Sequence, residues 1–199
     1  SGVEAPAPPA PTAVELPPEA AIDVNVYQCV RTEAELEAWV ARAHAAGVVA
    51  FDTETDALSS ANAGLCGVSL AVAPGEACYI PLVHAHPDGL ELEVAAELYQ
   101  IPSDWASALL KPMLEDPTVL KVAQNAKYDM AVLDRHGIRV APIEDTMLIS
   151  YVLEAGLHNH GMDELSKLWL GHEPIKFKTV AGTGKSEISF KHVPLDKAT

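Results

Sequence analysis

The spacing of apolar and polar positions changes period several times along the chain, and each change marks an element. Tyr27 to Val30 reads as a short strand, and Thr32 with Glu35 three residues on forms a capping box that opens a helix to about Ala46, ended by Gly47. The β-branched run Val48-Val49-Ala50-Phe51-Asp52 follows, then LCGVSLAVA at 65–73, a Pro-Gly turn at 74–75 and ACYIPL at 77–82. These predict three antiparallel strands. Farther along, the periodicity predicts a helix from about Ser103 to Glu115, a strand from Val119 to Ala123, and helices at about 125–136, 145–154 and 163–169. The alternation is that of an α/β domain. Residues 171–199, rich in Gly, Lys and short apolar pairs, read as an irregular excursion with room for one hairpin.

The first 21 residues, SGVEAPAPPAPTAVELPPEAA, are Pro and Ala with a few acids, a composition that favours extended polyproline conformations and builds no core. They read as an interdomain linker, so the chain is expected to be one piece of a larger protein, with residues 22–199 as its folded domain. The 49% hydrophobic and 21% charged residues belong to an ordinary globular chain. A net charge of −15 argues against a module that grips nucleic acid by bulk electrostatics. The basic residues gather late, at Lys167, Lys176, Lys178, Lys185, Lys191 and Lys197, where they face either a phosphate backbone or, as such scatters usually do, solvent. The three cysteines, Cys29, Cys66 and Cys78, show no metal-ligand spacing and fit a reducing cytoplasm. No apolar run approaches the roughly 18 residues that cross a bilayer, and no signal peptide opens the chain, so no membrane partner is expected.

In FDTETD the carboxylates of Asp52 and Glu54 stand at i and i+2 of an extended segment, so both point to one side at the end of an apolar strand. Two adjacent carboxylates repel unless a cation lies between them, and Mg²⁺, which prefers oxygen ligands, suits them. The same residues also make good turn chemistry, and the segment alone leaves both readings open. A second cluster, AQNAKYDM at 123–130, follows a strand and opens a helix, which would put Asn125 and Asp129 on one helical face beside Tyr128. An aromatic ring next to an amide and a carboxylate suits a single-stranded nucleotide, with Lys127 available to a phosphate. A capped surface helix with a half-buried tyrosine accounts for it equally well. His158 and His160, like His84 and His86, read as helix-start or loop residues more readily than as metal ligands, and Trp39, Trp105 and Trp169 as core.

Taken in order, FDTETD, GVSLAVAPGEACYIPLVH, LLKPMLEDPTVLKVAQNAKYDMAVLDRHGI and EDTMLISYVLEAGLHNHGMDELSKLWLGH strongly resemble the proofreading exonuclease domain of bacterial DNA polymerase I, over roughly residues 25–199. The resemblance implies a ribonuclease-H-like fold: a mixed sheet, antiparallel over its first three strands and parallel afterwards, flanked by helices. It implies two divalent ions, Mg²⁺ with Mn²⁺ or Zn²⁺ as alternatives, held by Asp52, Glu54 and Asp129. It implies that Leu58, Gln124, Asn125, Lys127 and Tyr128 line the single-stranded 3′ end of DNA. Asp145 matches a recurrent family position but is more simply a helix N-cap. The resemblance further implies a polymerase domain and a 5′-nuclease domain in the same parent chain, and a bacterial, nucleoid-associated setting. The family's fourth motif, a Tyr followed four residues later by a ligating Asp, is expected beyond Thr199, which would leave this piece with an impaired site and one flank of its sheet unpacked. Two rivals stand beside this reading: an exoribonuclease of the same superfamily, and a noncatalytic domain that braces a polymerase.

Overall fold

The structure, a computed structural model, describes residues 24–86 and 98–199, apart from the side chains of Val24 and Lys185. The linker expected over residues 1–21 lies outside the described residues. The elements run β1 (Gln28–Cys29), α1 (Glu33–Ala46), β2 (Val48–Thr55), β3 (Leu65–Ala73), β4 (Glu76–Pro81), α2 (Ser103–Glu115), β5 (Leu120–Ala123), α3 (Lys127–Arg135), β6 (Ile143–Asp145), α4 (Thr146–Glu154), α5 (Met162–Leu170), α6 (Phe177–Ala181) and α7 (Leu195–Ala198). The expected capping box is present: Glu35 N–H donates to Thr32 Oγ1 at 3.3 Å, and Thr32 N–H donates to Glu35 Oε2 at 2.9 Å. Gly47 closes α1 in the left-handed conformation at φ 68°, which a Cβ would strain.

Six strands form one sheet in the order β1-β4-β3-β2-β5-β6. β2, β3 and β4 pair antiparallel, while β1 joins β4, β5 joins β2 and β6 joins β5 in parallel, as the expected mixed sheet requires. The β2–β5 ladder runs only from Val48↔Leu120 to Ala50↔Val122, so the second half of β2 projects beyond its parallel neighbour. That overhang carries the acids.

Alternation assigns the two faces of the sheet different work. Val49 and Phe51 of β2, Val68 and Leu70 of β3, and Cys78 and Ile80 of β4 point to one side. There they meet Leu36, Trp39 and Ala43 of α1, Leu110 and Met113 of α2, and Val132 and Leu133 of α3 in a closed apolar core. Lys121, fully buried at the edge of this core, donates to the carbonyls of Asp116 and Val119, both at 2.7 Å, and so caps the turn after α2. The opposite face presents Ala50, Asp52, Ser69, Ala71 and Ala77 to an open groove of about 720 Å³ walled by α4 and α5, among them Ile149, Leu153, Leu165 and Trp169.

Two expectations need correction. Residues 171–199 form no strand: α6, two 3-10 turns (Gly184–Ser186 and Phe190–His192) and α7 fold back so that Phe190, Val193 and Leu195 cover Tyr79 and Cys66 in a second small core. Short apolar pairs look like strand fragments, but here each pair anchors one turn of irregular backbone. His84, expected in a loop, is indeed outside any element, yet it is buried: its Nε2 lies 2.7 Å from Tyr79 Oη and its Nδ1 3.0 Å from the Val193 carbonyl. The Tyr79 ring crosses so close to Gly67 that a Cβ there would come within 2.1 Å of its oxygen, which explains a glycine in mid-strand. Of the tryptophans only Trp39 is core; Trp105 and Trp169 remain 56% and 49% exposed, because α2 and α5 turn those faces outward.

Candidate active site

Asp52 and Glu54 sit opposite Ser69 and Gly67 in the β2–β3 ladder, and the period-two geometry puts both carboxylates on the groove side of the sheet. Between them Thr53 points the other way and is buried. β5 no longer reaches this part of β2, so the Thr53 N–H lacks a strand partner. Asp129, from the first turn of α3, fills the place: its Oδ1 accepts from Thr53 N–H at 3.0 Å and also from the Thr53 hydroxyl. Asp129 is only 3% exposed. Three acids from two elements are thereby gathered at one end of the sheet, the third fixed by the residue between the other two.

Their ionisation reflects this crowding. Burial, reinforced by the neighbouring charges of Asp129 and Glu54, pushes the Asp52 carboxyl up to about 7. Burial and Asp129 raise Glu54 as well. Burial also raises Asp129, although its hydrogen bonds from Thr53 pull the other way. Among the described side chains no Lys, Arg or His forms an ion pair with any of the three. The arrangement is a cluster of buried and half-buried oxygen donors with negative charge and no cationic partner among the described side chains, which fits a hard divalent ion. Among the described residues no three His, Cys, Asp or Glu side chains are already closed into ligand geometry, and Asp129 Oδ1 is engaged by Thr53.

The remaining candidates divide into those beside the acids and those apart from them. Tyr128 Oη lies 2.6 Å from Thr55 Oγ1 and donates at 2.6 Å to the Ala57 carbonyl, tying α3 to the loop between β2 and β3. Leu58, on that loop, is 99% exposed. Asn125 does not share the helical face with Asp129: it precedes α3 in the left-handed conformation at φ 60°, a region that asparagine tolerates better than most residues. Gln124 faces the groove, but its Nε2 donates to the His160 carbonyl at 2.8 Å and its Oε1 accepts from the Thr146 hydroxyl. Lys127 lines a separate apolar groove with Met130, Ile143, Leu148 and Val152.

Several contributors were not visible as such in the sequence. Asp145 is the expected N-cap of α4, accepting from Met147 N–H at 2.9 Å, and it also accepts from the N–H groups of Asn125 at 3.0 Å and Ala126 at 2.9 Å. One carboxylate thus braces both α4 and the strained turn that delivers Asp129. His160 is buried against Ser150, Nδ1 to Oγ at 2.7 Å, and packs against the tilted ring of Tyr151, while His158 pairs with Glu154 at 2.8 Å, so both histidines hold the α4–α5 turn together. Of the late lysines, Lys167 lies 3.5 Å from Glu173, and the side chain of Lys185 is outside the described residues.

A six-stranded mixed sheet flanked by helices, with acids at the free end of its central strand, defines an α/β domain of ribonuclease-H-like fold. The 3′-5′ exonuclease family matches residues 27–199, and the chain belongs to that family. DNA polymerase I of Rhizobium leguminosarum is 47% identical over 186 residues, a match covering 89% of this chain and 18% of that protein. The chain therefore spans about a fifth of the length of this relative. Escherichia coli RNase D, an exoribonuclease involved in structured RNA processing, superposes with a TM-score of 0.57 at 20% identity, over 83% of this chain and 39% of that one. Brucella melitensis NrnC with bound Mg²⁺ superposes with a TM-score of 0.50 at 20% identity, over 76% of this chain and 70% of that one. At such identities these two likenesses speak for the fold alone. Among the described residues no helix is long and apolar enough to cross a membrane.

Proposed function

We propose that this domain removes nucleotides from the single-stranded or frayed 3′ end of DNA by divalent-cation-assisted hydrolysis, as the proofreading part of a bacterial DNA polymerase I. The observation that carries the reading is the gathering of Asp52, Glu54 and Asp129 around the overhanging end of β2, each with its carboxyl raised and without a cationic partner among the described side chains. When bound, two divalent ions, Mg²⁺ or alternatively Mn²⁺ or Zn²⁺, would supply Lewis-acid polarisation of the phosphodiester and a water activated at neutral pH. Asp52 and Glu54 would hold them from the strand, and Asp129 from α3.

The rest of the chain's work is positioning. Thr53 keeps Asp129 at one distance from β2, so the three acids do not reorganise as charge develops on the phosphate. Tyr128, held by Thr55 and Ala57, and the exposed Leu58 offer a ring edge and an apolar surface to unpaired bases. Asn125 and Gln124 border the same end of β5, whereas Lys127 stands nearer the outer groove and would reach phosphate only farther along the strand. An acidic domain gains little from duplex backbone, which favours an unpaired end as substrate.

The polymerase relative favours DNA over RNA and a polymerase domain in the same parent chain. On this reading residues 1–21 link the domain to a 5′-nuclease domain, and the whole works in the bacterial cytoplasm. The test is Mg²⁺- or Mn²⁺-dependent shortening of 5′-labelled single-stranded, paired and RNA oligonucleotides by this chain and by a version extended past Thr199. A single-nucleotide ladder from the 3′ end of unpaired DNA is expected. Preference for paired ends or for RNA would overturn the substrate, and an inert extended chain that still binds metal would favour the bracing domain.

A further inference from the structure

The loop of residues 56–64 between β2 and β3 is held far more firmly than a connection needs to be. Its ends close on each other: Asp56 N–H donates to the Gly64 carbonyl at 3.1 Å, and Gly64 N–H donates to Asp56 Oδ1 at 2.6 Å. Inside it, the Asn62 and Ala63 N–H groups donate to the Ser59 carbonyl at 3.1 and 2.9 Å, and Ala63 is fully buried. α3 then grips it at two points. Tyr128 Oη donates to the Ala57 carbonyl, and seven residues later, two turns along the same face, Arg135 Nη1 donates to the carbonyls of Ser60 at 3.0 Å and Ala63 at 2.6 Å. The two grips fall on either side of Leu58, the loop's large apolar side chain, which is 99% exposed.

A leucine that buries none of its surface does nothing for folding through burial, yet here it stands on a clamped loop whose other clamp, Tyr128, is the neighbour of Asp129. The sequence gives no hint of this, because Arg135 lies 72 residues from Ala63. Resting on the reading above, we propose that Arg135 is a positioning residue: it fixes the 56–64 loop to α3 so that Leu58 meets the terminal base of a single-stranded 3′ end as a preformed surface, at a set distance from the acids. Arg135 acts through the protein carbonyls it touches. A surface ordered before binding avoids the entropy of ordering it on binding, so losing the clamp weakens capture of the strand end and leaves the acids in place.

The probe is a single-stranded oligodeoxynucleotide carrying 2-aminopurine as its 3′-terminal base, titrated in Ca²⁺ with the full chain and with Leu58→Ala, Arg135→Ala and the double variant. Amide exchange and thermal melting are followed alongside. Arg135→Ala is expected to speed exchange at Asn62, Ala63 and Gly64, to weaken binding about fivefold, and to leave the salt dependence of binding unchanged. The double variant is expected to bind no more weakly than Leu58→Ala alone, since both act through one surface. Additive losses, or a salt slope reduced by about one, would make Arg135 a phosphate contact and overturn the proposal. Unchanged binding by Arg135→Ala with wild-type binding intact would overturn it too. Failure of the wild-type chain to bind the probe removes the functional reading and this inference with it.

Discussion

The two faces of the central sheet, made by alternate residues of the same strands, differ in almost every respect. One face puts Val49, Phe51, Val68, Leu70 and Ile80 under α1, α2 and α3, all essentially buried. The other puts Ala50, Asp52, Ser69, Ala71 and Ala77 beneath a groove whose walls, on α4 and α5, leave Leu153 and Trp169 largely exposed. α5 has no buried residue, and α4 buries only Ser150. The first face carries most of the apolar burial, and the small core under Tyr79 adds to it from the other side. The second keeps small side chains and charge where a substrate and its ions would need room, at the cost of desolvated, mutually repelling carboxylates. Thr53 joins the two: it belongs to the core side by alternation, yet its hydrogen bonds hold the third acid of the other.

Substitutions on each side should separate these roles. Asp52→Ala is expected to lower metal-dependent hydrolysis of a single-stranded oligonucleotide by about 10²-fold or more without lowering the melting temperature, because it relieves repulsion. A large loss of stability instead would mean that Asp52 serves the fold. On the packed side, Leu110→Ala should cost about 2–5 kcal/mol in urea unfolding, while Leu153→Ala on the open side should stay within about 0.5 kcal/mol. Equal costs would erase the contrast between the faces. Thr53→Val, nearly isosteric, removes the hydroxyl bond to Asp129 and should cost on the order of 1–2 kcal/mol and slow hydrolysis while binding of the strand end changes little. A weakening confined to strand binding would contradict its placement.

A further effect concerns pH. The Asp52 carboxyl is raised in the folded protein from 3.8 to about 7, so the folded state binds the proton that the unfolded state releases. In chelator, stability should therefore be greatest below about pH 4 as far as this group is concerned, and should fall as pH rises from there through about 7. Mg²⁺ should recover it at pH 8 and have little effect at pH 5. Melting curves that do not shift with pH in chelator, in wild type against Asp52→Asn, would contradict the raised carboxyl.

How much of this the sequence discloses depends on how local the cause is. Helix α1 is legible from Thr32, Glu35 and Gly47, which lie within one or four residues of what they cap. The shared side of Asp52 and Glu54 follows from strand periodicity alone. β6, only three residues long, leaves too short a pattern to read, and α6 and α7 rest on contacts with Tyr79 that no window of residues 171–199 contains. Asn125 and Asp129 share a helical face only if the helix begins at residue 125. The turn held by Asp145, twenty residues away, makes it begin at Lys127 and sets Asn125 apart. Likewise the bond from Thr53 to Asp129 spans 76 residues, and only the folded sheet, with β5 ending early, shows why it forms.

Asp52, Glu54 and Asp129 are proposed to crowd together because they hold divalent ions, and the most direct test is a Mn²⁺ titration followed by electron paramagnetic resonance. Wild-type chain should bind Mn²⁺ at pH 8 and be displaced by Mg²⁺, with binding weakened about tenfold or more by Asp52→Asn and again by adding Asp129→Asn. Mn²⁺ binding that is absent in the wild type, or indifferent to both substitutions, would contradict the account.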